Sequence, residues 1–235
     1  MIEGNNLIEE ALGCSMDIEA IFVREDYEGI DSKIKEYESF ISEVYALGKS
    51  LFDSIAQTET SQGIIAIVKK KDYTQDDFTR CCKSGNILVL DRLQDLGNIG
   101  TMIRTAEAAG YKGIVVIKGT GDVFSPKVVR AAAGSIFRMS ILFADDAEYA
   151  ITVIRAMGKK IISTCFETEI NYFDVDLQNE VALLIGNEGG GLSPELIDKS
   201  DVKVKIPMEV SVNSLNAAVA AGILMYESIR EKKKG

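Results

Sequence analysis

Histidine is absent from this 235-residue chain, proline occurs three times and cysteine four times. Each shortage removes a class of chemistry. Without histidine, and with Cys14, Cys81, Cys82 and Cys165 lacking metal-ligand spacing, no zinc site is expected. The adjacent pair Cys81–Cys82 is a poor disulfide framework, so the chain reads as a reduced, cytoplasmic protein. No run approaches about 18 uninterrupted apolar residues, which excludes a membrane span. The start, Met1-Ile-Glu-Gly-Asn-Asn, has no basic region followed by an apolar stretch, so no secretory leader is expected. Positive charge is scarce too: 36 acidic residues stand against 26 basic ones, for a net charge of −10. Phosphate neutralisation supplies much of the affinity of nucleic-acid binders, so any such role here needs a local basic face. Candidates are Lys69–Lys71, Arg92, Arg104, Lys127 with Arg130, and the tail Lys232–Lys234. The first and last of these read equally well as solvated ends.

What is present is a substantial apolar core (hydrophobic content 46%) and a regular alternation of elements. From residue 83 onward, strands are predicted near 87–91, 114–117, 139–143, 160–165, 181–185 and 202–206. Helices are predicted near 98–109, 126–134, 146–157, 194–199 and 214–231. Unbroken apolar strands alternating with helices imply a parallel sheet covered on both faces. The G-x-G-x-x-G fingerprint of dinucleotide-binding folds is missing, and the glycines fall late in the chain. Residues 1–71 read as a separate small α/β unit. Its helices are predicted over Ile8–Leu12 and Lys33–Phe40, and its strands over Ala20–Val23, Glu43–Ala46 and Gly63–Val68. Residues 72–82, which follow a charged run, read as a linker.

Three segments share one plan, a buried strand followed by a polar or glycine-rich turn and a helix. In the first, Asn86–Leu90 is followed by the loop Asp91–Gly97 and a helix with Asn98 as its cap and Gly110 as its stop. Arg104 lies six residues into that helix among small and apolar neighbours, which suits a cation held at a boundary. In the second, Val181–Gly186 leads into Asn187-Glu-Gly-Gly-Gly-Leu-Ser-Pro194. The glycines bring backbone N–H groups close to whatever lies above the strand end. Glu188 is then either a cap for a neighbouring helix or an active-site group, and Ser193-Pro194 opens the next helix. In the third, Val202–Ile206 runs through a turn holding Ser211, Asn213, Ser214 and Asn216 into a long apolar helix. Polar side chains are costly to bury without partners. Here they either cap the helix, through Asn213 or Ser214, or hold a ligand.

With Asn98, Gly100, Arg104, Thr105 and Ala106, then Gly186, Glu188, Gly191, Leu192 and Ser193, then Ile206, Pro207, Met208, Ser214, Leu215 and Asn216, the chain resembles the SpoU/TrmH family of S-adenosylmethionine-dependent RNA 2′-O-methyltransferases. The three motifs stand in the family's order and span the last ~150 residues. Thr58-Glu-Thr-Ser-Gln-Gly63 extends the likeness upstream. Val210 stands where the family usually has glycine, and Ala218 where serine is common. The resemblance implies an α/β fold with a C-terminal knotted parallel-sheet domain (the SPOUT trefoil knot) over residues 83–235. It also implies a small N-terminal RNA-binding domain.

The resemblance further implies S-adenosylmethionine as cofactor, contacted by Gly186, Ile206 and Leu215, and a homodimer in which Arg104 of one subunit completes the site of the other. The acceptor would be rRNA or tRNA, rRNA being favoured, with Lys127 and Arg130 beside Arg104 as RNA contacts. Arg104 would hold a phosphate and stabilise the developing alkoxide. Asn98 would anchor its loop, and Ser214 and Asn216 would bond the ribose or shape the cofactor pocket. Glu188 would position Arg104 or accept a proton through water. Two rivals are a non-catalytic RNA-binding or assembly factor of the same fold and a dinucleotide-binding enzyme. The first is disfavoured because Asn98, Arg104, Glu188, Ser214 and Asn216 all remain, the second by the missing fingerprint.

Overall fold

The computed structural model describes residues 1–27, 38–58, 60–165, 167–209 and 214–230. Contacts divide the chain into two compact units, one made of Met1–Lys71 with Ile136–Arg138, the other of Asp72–Ser135 with Met139–Gly235.

In the first unit, strands β1 (Ile2–Glu3), β2 (Ile18–Arg24), β3 (Ile41–Leu47) and β4 (Ile64–Val68) form a sheet in the order β1-β4-β2-β3. β4 runs antiparallel to both β1 and β2, whereas β3 is parallel to β2. Helix α1 (Asn5–Gly13) buries Ile8, Ala11 and Leu12, the i, i+3, i+4 stripe of an amphipathic helix. Helix α2 (Lys49–Ile55) buries Phe52. The two-residue β1 and the short α2 are additions to the sequence reading, both too brief to impose a visible period. Of the helix expected over Lys33–Phe40, residues 38–40 form a 3₁₀ turn and the rest lies outside the described residues.

The second unit holds six parallel strands in the order β10-β8-β9-β5-β6-β7. They are β5 (Ile87–Asp91), β6 (Gly113–Ile117), β7 (Ser140–Ala144), β8 (Lys160–Thr164), β9 (Val181–Ile185) and β10 (Val202–Val204). β5, β6 and β9 are buried at every position, as expected of strands covered on both faces. The helices are α3 (Gln75–Cys81), α4 (Leu96–Ala108), α5 (Pro126–Ala132), α7 (Ala147–Ala156), α8 (Pro194–Asp198) and α9 (Ala217–Arg230), while the short α6 (Ser135–Arg138) groups from Ile136 onward with the first unit.

Residues 72–82 are not a linker. They contain α3, whose Phe78 packs with Cys82 into the main core cluster. Gly113, at the start of β6, makes this possible: a Cβ there would lie 2.5 Å from Cys82 Sγ and 2.7 Å from Phe78 Cε2. Burial pushes the Cys82 thiol up to about 11, which marks it as an inert core group. Thr74 caps the helix by accepting the Asp77 N–H.

Candidate functional site

The sheet order creates one crevice. From β5 the chain steps to β6 and then β7 on one side, while from β9 it passes over β8 to reach β10 on the other. The chain therefore leaves β5 and β9 toward opposite sides of the sheet, from the carboxyl ends of two neighbouring strands, the place where open parallel sheets bind ligands. The loops there are 92–95 and 186–193, drawn from the first two sequence motifs.

The first loop is set by Asp95. Its carboxylate accepts the Asn98 N–H at 2.8 Å, so Asp95 caps α4 and Asn98 does not. The helix starts two residues before the expected position because aspartate is at least as good a cap as asparagine and comes first. Asn98, relieved of capping, has its amide free for other work. The Asn98 N–H, with Lys127 adding to it against the effect of partial burial, holds the Asp95 carboxyl below the usual range. Gly100 allows α4 to touch α5: a Cβ there would sit 2.5 Å from the Ala131 Cβ and 2.7 Å from the Val128 carbonyl oxygen. That contact sets Lys127 beside the loop, its Cε 3.9 Å from where a Gly97 Cβ would lie.

The second loop folds back on itself. Asn187 exchanges backbone hydrogen bonds with Gly191 (3.0 and 2.9 Å), and its Oδ1 accepts the N–H groups of Gly189 and Gly190, both at 2.9 Å. Its Nδ2 donates to the Arg92 carbonyl at 2.8 Å, joining the two loops. At Gly186 a Cβ would stand 2.2 Å from the Leu192 nitrogen, so glycine is required there by the loop's own return. Asp91 lies beneath, 1% exposed, accepting the Ser193 N–H at 2.8 Å and two bonds from Arg92 at 3.1 and 3.2 Å. Sequence reasoning missed Asp91, Arg92, Asp95 and Asn187 as site-building residues. The available signal was Asp91 itself, a carboxylate closing an otherwise apolar strand.

Glu188 joins the loops at their tips. Its carboxylate accepts the backbone N–H groups of Gln94 (3.3 Å) and Asp95 (3.2 Å) and the Asn98 Nδ2 (3.3 Å). Partial burial acts to raise its pKa, but its own N–H and those donors together outweigh this and leave the carboxyl below its ordinary value. Asn98 Oδ1 in turn accepts from Asn216 Nδ2 at 2.9 Å. Asn216 Oδ1 accepts the N–H groups of Ala218 (2.9 Å) and Val219 (3.2 Å), which makes Asn216 the cap of α9. The helix thus begins at Ala217, three residues later than expected. Asn213 and Val210 lie outside the described residues. Capping and site-building, opposed readings in the sequence, meet in one side chain. The relay Glu188–Asn98–Asn216 brings one residue from each of the three motifs into contact.

The other expected residues are placed less uniformly. Ser214 is exposed two residues from Asn216, and Leu215 between them leaves 38% of its surface accessible. Ile206 is half-buried just beyond β10. Ile206 and Leu215 are thus both accessible apolar groups, the one just beyond β10 and the other just before α9. Arg104 is elsewhere: six residues from Asn98 amounts to a separation of about 120° around the helix and about 9 Å along it. It is exposed and, among the described residues, makes no hydrogen bond or ion pair. The expectation that Glu188 positions it is not met within the chain, because the Glu188 oxygens are directed at the start of α4. Lys127 and Arg130 are both exposed on α5. Among the described residues no group of three or more His, Cys, Asp or Glu could hold a metal ion, and no helix is long and apolar enough to cross a membrane.

A family model described as the SpoU rRNA Methylase family matches residues 85–226, and one described as an MRM3-like substrate binding domain matches residues 1–66. The chain is 33% identical over 226 residues to the Bacillus subtilis (strain 168) 23S rRNA (guanosine(2553)-2'-O)-methyltransferase RlmP, covering 96% of this chain and 86% of that protein. Among solved structures, the SpoU methyltransferase AviRb from Streptomyces viridochromogenes, in complex with the cofactor AdoMet, aligns with a TM-score of 0.88 at 28% identity, over 99% of this chain and 90% of its own. An AdoMet-bound rRNA methyltransferase from Sinorhizobium meliloti aligns with a TM-score of 0.83 at 29% identity, over 97% and 86% respectively.

Proposed function

The chain belongs to the SpoU rRNA methylase family, and from that premise we propose how its residues divide the work. The protein is a methyltransferase that moves a methyl group from S-adenosylmethionine to a ribose 2′-hydroxyl of RNA, ribosomal RNA being the favoured acceptor. The observation that carries the assignment of roles is the Glu188–Asn98–Asn216 relay, which locks the three motif segments together beside the crevice. S-adenosylmethionine, when bound, supplies an electrophilic methyl on a sulfonium. Gly186, Ile206 and Leu215 line its adenosine, and Ser214, at the mouth of the same turn, is the group free to bond the ribose.

Glu188 is a positioning residue in this reading. A carboxyl held below its ordinary value is a weak base at neutral pH, far from the matched pKa that general-base catalysis favours. Arg104 acts by charge: a guanidinium stays protonated, so it grips the phosphate next to the target and steadies the oxygen as it loses its proton. Within one chain, among the described residues, Arg104 makes no bond to the relay. It reaches a site by belonging to a partner subunit's. The surface beside it supports a homodimer, because α9 exposes Val219 (52%) and Tyr226 (49%) on one helix face, Leu215 is exposed just before that helix, and Gly222 lies close to Thr105 of α4. Residues 1–71 serve as the RNA-binding unit, in line with the substrate-binding family model there. The second unit carries the knot of its family. The protein works in the cytoplasm.

The test is transfer of labelled methyl from S-adenosylmethionine to unmodified rRNA, with the product identified as a 2′-O-methyl ribose. Arg104→Ala and Glu188→Ala are each expected to be nearly inactive. Mixed dimers of the two should regain activity, since a shared site leaves one of every two sites free of both lesions. Mixed dimers that form in good yield and stay inactive refute the shared site. RNA binding without methyl transfer by the native protein would favour a non-catalytic assembly factor.

A further inference from the structure

Phe143 is 53% exposed, although it lies in a strand whose other positions are buried. β7 is the edge of the six-stranded sheet, and Leu142 and Ala144 on either side of Phe143 belong to the main core cluster. Alternation therefore sends Phe143 to the opposite face, near the carboxyl end of the strand. There its ring meets Phe124 at 6.0 Å between centroids, with the planes tilted by 47°.

This aromatic pair is joined to the site. Phe124 lies in the loop that leaves β6, and that loop is tied to the first motif loop by Gln94 Nε2 donating to the Gly119 carbonyl (2.6 Å) and the Gly121 N–H donating to the Leu93 carbonyl (2.8 Å). Two residues after Phe124 begins α5, which bears the exposed Lys127 and Arg130. β5 and β7 are two strand spacings apart, about 10 Å, which neighbouring nucleotides of an unstacked strand can span. Three exposed carboxylates lie nearby, Asp122, Asp145 and Asp146, of which Asp122 accepts the Phe124 N–H at 2.9 Å and Asp146 caps α7 through the Tyr149 N–H at 2.8 Å.

We propose that Phe143, backed by Phe124, is a stacking platform for an unpaired RNA base next to the methylated nucleotide. The inference rests on the RNA methyltransferase reading above and adds a contact that sets which RNA context is accepted. Stacking on an aromatic ring needs no net positive charge, and every base has a π-face to offer. That suits an acidic protein, which cannot gain all its affinity from phosphate contacts.

The chain contains no tryptophan, so Phe143→Trp places a single indole fluorophore at the platform. With unmodified rRNA transcribed in vitro as probe, Phe143→Ala and Phe143→Leu should raise the KM for RNA by about 5- to 100-fold, the range set by loss of one stacked base. Affinity for S-adenosylmethionine alone should stay within twofold, by calorimetry. Phe143→Trp should keep the native KM, and its emission should be quenched as RNA is added. Three results overturn the proposal: an unchanged KM in Phe143→Ala, unquenched Trp emission at saturating RNA, or a change of oligomeric state in Phe143→Ala that marks this face as a contact between copies. If the native protein binds RNA and transfers no methyl, the enzymatic reading fails while the quenching experiment still decides the platform. If it binds no RNA, both fall.

Discussion

Replacing Glu188 separates two roles that a carboxylate in such a loop can have. Its oxygens receive three donors at 3.2 to 3.3 Å, all at the long end of the hydrogen-bond range and all near solvent. Discounted for that exposure, Glu188→Ala should cost about 1–2 kcal/mol of stability, mostly by freeing the Gln94 and Asp95 N–H groups and loosening Asn98. Glu188→Gln keeps one acceptor oxygen and should cost about half as much. As a positioning residue, Glu188 predicts that the Gln variant stays within about tenfold of native kcat and that the Ala variant loses affinity for S-adenosylmethionine. A general base instead predicts a fall in kcat of about 10²- to 10⁴-fold in both variants, with cofactor affinity intact. The pH dependence has a definite sign. Because the folded pKa is depressed, the contribution is fully present above the unfolded value and is lost as pH falls through the folded one. Cofactor binding, followed by calorimetry, should be level from pH 8 to about 5 and decline below, in the carboxylate range. That decline should shrink in Glu188→Gln. A Gln variant with native cofactor affinity and a hundredfold lower kcat would refute the reasoning.

Gly186→Ala should remove cofactor binding and lower Tm together, because its Cβ would fall 2.2 Å from backbone; loss of binding with unchanged Tm would place the conflict with the cofactor instead. Gly100→Ala should cost about 1–3 kcal/mol by separating α4 from α5, read as a Tm drop of about 2–10 °C for a chain of this size. Arg104→Ala should leave Tm and S-adenosylmethionine affinity near native while abolishing methyl transfer, since the side chain has no described partner within its own subunit. Lys127→Gln and Arg130→Gln should each weaken RNA binding and reduce the slope of log affinity against log salt by about one. A slope unchanged in both variants would remove them from the RNA surface.

The larger unit was legible because its elements are regular. All six of its strands and its principal helices fall within a few residues of positions read from periodicity and turn chemistry. The errors cluster where a local signal competes with a tertiary one. Residues 72–82 carry charges and follow a lysine run, so they read as a linker. Their true signal is Phe78 at a helix position and a glycine 35 residues later that clears space for it. In the smaller unit the two-residue β1 exists only through its pairing with β4, a long-range fact that no local pattern contains.

The site illustrates the same limit at finer grain. Sequence placed Asn98, Glu188 and Asn216 among the functional residues, yet it could not say which polar groups cap helices and which bond to one another. Two carboxylates near one helix start, Asp95 and Glu188, divide the work: one takes the capping N–H, and the other takes the N–H groups before it. Only that division releases the Asn98 amide to bridge Glu188 and Asn216. The bridge depends on the sheet order, because β5 and β9 are neighbours in space and about 90 residues apart in sequence. Arg104 marks the remaining gap. A motif arginine set about 120° around the helix from its motif asparagine, and about 9 Å further along it, motivates the proposal of a functional unit larger than one chain. The exposed Val219 and Tyr226 lie on the helix packed beside α4, and the exposed Leu215 just precedes it. Exposed apolar groups of this kind are what a second copy of the chain would cover, and in the proposed shared site the same copy would supply the missing cation.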